Sequence, residues 1–122
     1  MATEITEAGY QSIRNFLQGI SSDPWTFIEI RDGSQTPVFR LGLADPRVSW
    51  VHDPGAQVLV MRVELSGSDE DITLPQSFGG AAFFQSASGG VAMAEDTFST
   101  VTFETVDDQL VIRPRLQVPM LT

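Results

Sequence analysis

From residue 58 to residue 65 the side chains alternate without a break. Leu59, Met61, Val63 and Leu65 fall on one side, and Val58, Val60, Arg62 and Glu64 on the other. A period of two belongs to an extended strand with one face in a core, and a slip of one residue would turn every apolar group outward. This strand is expected near the centre of a sheet. The rest of the chain after residue 25 repeats the idiom in shorter pieces. At 25–31, Trp25 and Phe27 oppose Ile28 and Ile30, so that strand is expected to be covered on both faces. Weaker strands follow at 38–43 and 48–52, and another at 97–106 turns Val101 and Phe103 inward. In the last run Leu110, Ile112, Leu116 and Val118 share a face with Pro114, which confines it to an edge or requires a bulge. Pro37 and Asp45-Pro46 mark 38–43 as an edge for the same reason.

Between these runs stand Asp32-Gly33-Ser34, Asp53-Pro54-Gly55 and Asp107-Asp108, all turn formers. The stretch 79–94 reads as a hairpin: two apolar runs flank a small-polar loop that ends in Gly89-Gly90 and needs positive φ there. Its tip, Ser86 to Gly90, is expected to be exposed, with Ser86 and Ser88 available to a neighbour. One helix precedes the strands, at about 6–19, with Thr6 as N-cap, Glu7 in the first turn and Gly19 as the stop. Tyr10, Ile13, Phe16, Leu17 and Ile20 form its apolar stripe, which is expected to lie against the sheet, with Gly9 allowing close approach. Roughly eight strands with turn signals every 8–12 residues predict a mainly β, single-domain antiparallel β-sandwich or barrel, jelly-roll-like, over 1–122. Its strands run from about 25 to 118, and residues 119–122 form an apolar tail.

The 122 residues contain no cysteine, so thiolate metal sites, disulfides and cysteine nucleophiles are excluded. A formal charge of −9 repels phosphate backbones and anionic membranes, and no basic cluster offsets it. All seven bases are arginine, whose planar head suits fixed ion pairs. No signal-peptide pattern opens the sequence, and no apolar run is long enough to span a bilayer, so synthesis in the cytoplasm is expected.

Candidate chemistry is sparse. The lone His52 lacks a G-x-S-x-G nucleophile elbow and a second nitrogen ligand, and reads as a strand-end residue. Asp69-Glu70-Asp71 departs from a calcium-loop spacing and reads as a solvated, flexible turn. Asp53, Glu64, Glu95 and Glu104 could supply a glycosidase pair only if two of them flank one cleft. Trp25, Trp50 and Tyr10 could form a sugar-stacking platform, or belong to the core. The paired glycines at 79–80 and 89–90 lack the strand, helix and lysine of a phosphate loop. No catalytic, metal or cofactor residue is assigned, and no enzyme activity is expected. The candidate contact residues are Arg113 and Arg115 on the outer face of the last strand, Met120 and Leu121 in the tail, and Ser86 and Ser88 at the hairpin tip.

Three stretches carry a resemblance. Ile5-Thr6-Glu7-Ala8-Gly9-Tyr10, the segment 79–94 with Phe98 after it, and Asp108-Gln109-Leu110-Val111-Ile112-Arg113 resemble, in order and spacing, the opening helix, central segment and terminal strand of small tailed-phage virion proteins. Ser77-Phe78-Gly79-Gly80 and Phe83-Phe84 depart from the family's glutamate before the glycine and Leu-Phe pair after it. The resemblance implies a structural role: a capsid decoration (cement) protein on the outer shell, with the major capsid protein and copies of itself as partners and a trimer favoured. A tail, baseplate or fibre component is the alternative, and a carbohydrate-binding module is a further one. Localisation in a virion assembled in a bacterial host is implied with it.

Overall fold

The computed structural model describes residues 3–20 and 23–117. The described chain runs β1 (Glu4–Ile5), α1 (Glu7–Leu17), β2 (Phe27–Arg31), β3 (Pro37–Gly42), β4 (Val48–Trp50), β5 (Val58–Ser66), β6 (Gln76–Phe84), β7 (Ala94–Phe103), β8 (Gln109–Ile112) and β9 (Arg115–Gln117). Every strand pairing is antiparallel. One sheet has the order β1-β7-β6-β2-β3, and the other has β5 between β4 and the β8–β9 segment. The predicted mainly β architecture with one N-terminal helix is therefore the observed one. The short β1 is the strand that alternation could not reveal, because two residues carry no period.

The two sheets face each other across one core. Ile28, Ile30, Leu41, Phe78, Phe83 and Phe103 come from the larger sheet, and Met61, Val63, Leu65, Ile112 and Leu116 from the smaller. Trp50 stacks on Phe83 across the layers, with ring centroids 6.1 Å apart. The alternating strand β5 is indeed central in its sheet, and Met61, Val63 and Leu65 are its fully buried positions. β6 is central in the larger sheet and buried along its length from Phe78 to Phe84.

Pro114 resolves in favour of an edge. β8 and β9 pair with β5 at one constant offset, Val63 opposite Ile112 and Leu59 opposite Leu116, so no residue is inserted between them. Pro114 is fully buried and its carbonyl still accepts from Met61 N–H at 3.0 Å. The ring removes one ladder donor and leaves the register intact.

The helix departs from expectation in one respect. Thr6 caps it as predicted, its side chain accepting from Gly9 N–H, and Gly19 beyond its end takes positive φ. The apolar stripe, however, does not lie on the sheet. Of its five members only Ile13 is half-buried; Tyr10, Phe16, Leu17 and Ile20 are exposed, Phe16 by 70% and Leu17 by 76%, while Gly9 and Ser12 are buried. Polar anchoring explains the rotation. Thr6 Oγ1 donates to Ala92 O at 2.6 Å, Thr6 N–H donates to Met93 O at 2.9 Å, and Ser12 Oγ receives Trp25 Nε1–H and Gln85 Nε2–H at 3.1 Å each. A Cβ on Gly9 would collide with the Met93 carbonyl, so only glycine lets the helix sit this close to the start of β7.

Candidate contact site

The arginines divide into two groups. Arg14 bonds Glu7, Arg31 bonds Glu29 and Glu95, Arg40 bonds Glu29, Arg47 bonds Asp45, Asp69 and Asp71, and Arg62 bonds Glu64. That leaves Arg113 and Arg115 of the seven without an acid in ion-pair reach among the described residues.

The two lie on the solvent face of the β8–β9 segment, on either side of buried Pro114. They border a cleft of about 350 Å³ lined also by Asp96, Phe98, Leu110, Val111 and Ile112. The cleft runs where the sandwich is open at its side, between β7 of one sheet and β8 of the other. Thr3 closes one end of that side. Its hydroxyl donates to Asp96 Oδ2 at 3.3 Å and accepts Arg115 N–H at 3.0 Å, so one buried side chain ties the two sheets. Burial pushes the Asp96 carboxyl above its usual value, against the Thr3 and Thr97 hydrogen bonds that lower it.

The hairpin tip is exposed, as expected, with Ser86 to Gly90 at the surface and Gly89 and Gly90 at φ of 68° and 77°. It is not loose. Arg40 Nη1 donates to Ser86 O at 3.1 Å and Gly89 O at 2.8 Å, while its guanidinium lies 3.6 Å from the Phe84 ring centroid. The Ser88 carbonyl accepts the Ser86 hydroxyl. Met120 and Leu121 lie outside the described residues.

The other candidates are dispersed. His52 Nδ1 accepts Val60 N–H at 3.2 Å and the ring packs edge-on to Trp50, which makes it a strand-end residue. Glu64 bonds Arg62, Glu95 bonds Arg31 on the other sheet, and Asp53 and Glu104 are exposed near turns, so no two of these carboxylates share the cleft. Trp25 and Trp50 pack on the core while Tyr10 is exposed on the helix, so the three make no common platform. Among the described residues no cluster of three or more His, Cys, Asp and Glu side chains is arranged to hold a metal ion.

The acidic turn is built differently from a flexible loop. Arg47 reaches into it with contacts of 2.8 Å to Asp45, 3.2 Å to Asp69 and 2.8 Å to Asp71. Its guanidinium holds the Asp45 and Asp71 carboxyls below their usual range. The turn's cation comes from the β3–β4 connection. What sequence reasoning missed was the partner, because Arg47 lies 22 residues from Asp69 and no spacing rule links them.

The chain matches no family model, no curated protein and no solved structure.

Proposed function

We propose that this chain is a non-enzymatic structural protein of a tailed-phage particle, and within that class a capsid decoration protein that binds the outer shell and associates with copies of itself. The observation that carries the reading is the exposed helix stripe. Tyr10, Phe16 and Leu17 stand outward on a helix whose ion pair, Arg14–Glu7, cancels its own charge, and Ile20 is exposed just beyond its end. Large apolar side chains exposed together on one short segment are expected where another macromolecule makes contact. In a chain of charge −9, a neutral apolar face is also where like copies repel each other least. The motif resemblance suggests the virion, and Arg113 and Arg115, with no acid partner among the described residues, offer a second contact region.

Sedimentation velocity and binding to purified shells test it. An oligomer, or saturable shell binding, is expected, and immunogold labelling should decorate the shell rather than the tail. A monomer that ignores both shells and tails overturns the reading.

A further inference from the structure

The open side of the sandwich has an unused hydrogen-bonding edge. Along the β8–β9 segment, Asp108 O accepts Gly67 N–H at 2.8 Å and Pro114 O accepts Met61 N–H at 3.0 Å, in the register that places Leu110 opposite Leu65 and Ile112 opposite Val63. In an antiparallel ladder the groups that face the partner strand alternate with those that face away. The even-numbered residues therefore spend their backbone groups on β5, and those of Gln109, Val111 and Arg113 point outward. Arg115 obeys the same parity, and its outward N–H is the one Thr3 Oγ1 takes. Beyond Thr3, no strand covers this edge among the described residues.

Two further features converge there. The cleft beside the edge has an apolar floor of Phe98, Leu110 and Ile112. At its rim stand Arg113 and Arg115, the two arginines with no acid partner among the described residues. Unpaired strand edges take up extended peptides through main-chain bonds, with side-chain pockets providing the selection. The chain already uses this mode once: β1 adds to β7 with Glu4 opposite Glu95, at the closed end of the same side. Electrostatics chooses the ligand. At physiological salt the Debye length is about 8 Å, so a segment lying on Arg113 and Arg115 responds to them, and to Asp96, the one acid in the cleft lining among the described residues, more than to the rest of the acidic surface. Two bases against one carboxylate already engaged by Thr3 leave the cleft in favour of an anion.

We propose that the cleft between β7 and β8 binds an extended acidic segment of another protein, which adds as a strand to the outer edge of β8 and sets its carboxylates on Arg113 and Arg115. At about 3.3 Å per residue, the free edge from Gln109 to Arg113 accommodates a segment of about five residues. Apolar side chains alternating with the acids fill the floor. The proposal does not depend on the virion reading, because edge, floor and charge would select the same peptide in any setting.

Fluorescence anisotropy of the full chain with a labelled, end-blocked heptapeptide alternating valine and glutamate tests it, with the valine–lysine peptide as control. Saturable binding is expected for the acidic peptide, at least tenfold tighter than for the lysine peptide and weakening as salt rises from about 50 to 500 mM. The double variant Arg113→Gln/Arg115→Gln is expected to weaken it tenfold or more. Val111→Pro removes an outward donor while leaving the ladder to β5 intact, and should weaken it as well. Circular dichroism checks that each variant folds; should one fail, the wild-type salt and peptide-charge series still decides. Equal binding of both peptides, salt-independent binding, or no saturation overturns the proposal. So does self-association abolished by Arg113→Gln/Arg115→Gln with no peptide bound, which would assign the cleft to a second copy.

Discussion

Arg47 shows how much one side chain organises at the residue scale. It lies beside Asp45 of its own β3–β4 connection and beside Asp69 and Asp71 of the turn between β5 and β6, three carboxylates that would otherwise repel each other. Replacing it with methionine keeps the stem and removes the charge. A loss of about 2 kcal/mol is expected, read as a lower urea midpoint, since hydrogen bonds to charged groups contribute on that scale. The pH dependence has a definite sign. Asp45 and Asp71 are held below their ordinary value of 3.8, so the stability they lend is present at neutral pH and is lost as pH falls below about 4. Arg47→Met should flatten that acid limb.

Asp96 is the opposite case. Its carboxyl is raised by burial, so ionisation costs the folded state; the penalty is absent below 3.8 and complete above the raised value. Asp96→Asn keeps an acceptor for Thr3 and removes the charge. It is expected to melt higher than the wild type at pH 7, and the advantage should shrink as pH approaches 3.8.

At the scale of elements, the helix offers the sharpest test. Because Phe16 and Leu17 are solvent-facing, Phe16→Ser/Leu17→Ser should change unfolding free energy by about 0.5 kcal/mol per site or less. The same double variant should lose self-association in sedimentation. If the stripe instead supported the sheet, the cost would run to several kcal/mol, as for large-to-small changes in a core. The strands were largely legible in the sequence because period two reports burial directly: Met61, Val63 and Leu65 were placed inward by alternation, and all are fully buried. Pro37 marked an edge, and Pro114 an edge or a bulge, because each lacks a donor; β3 and the β8–β9 segment both lie at sheet edges. The helix's orientation was not legible, since its amphipathic pattern states which face is apolar and not which face meets the protein. Gly9, Ser12 and Thr6 settled that through contacts with residues 25, 85, 92 and 93, which no local pattern joins. The candidate contact site was half legible: Arg113 and Arg115 stood out as adjacent bases in an acidic chain, but the cleft beside them depends on Asp96 and Phe98 from the other sheet.

At the scale of the whole molecule, two sheets share a core and their open side is tied by Thr3 at one end. Thr3→Val is close to isosteric and removes both hydrogen bonds at that tie. A cost of about 1 kcal/mol is expected, with faster hydrogen exchange at the Arg115 amide as the specific reporter. Exchange at the Met61 amide, which faces Pro114 on the inner side, should follow only global unfolding.

The tie between Thr3 and Arg115 also has a consequence in time. The two residues are separated by 112 positions, so a chain leaving the ribosome completes the β2–β3, β4–β5 and β6–β7 hairpins before Arg115 exists. Until then the third strand of the smaller sheet is missing, and β5 presents its whole odd-numbered edge to whatever lies nearby. Synthesis proceeds at about 5–20 residues per second, so residues 109–115 arrive seconds after the partner strand they must cover. During that interval the half-made molecule is itself a receptor for extended chain, and the sequence that finally fills the gap is its own.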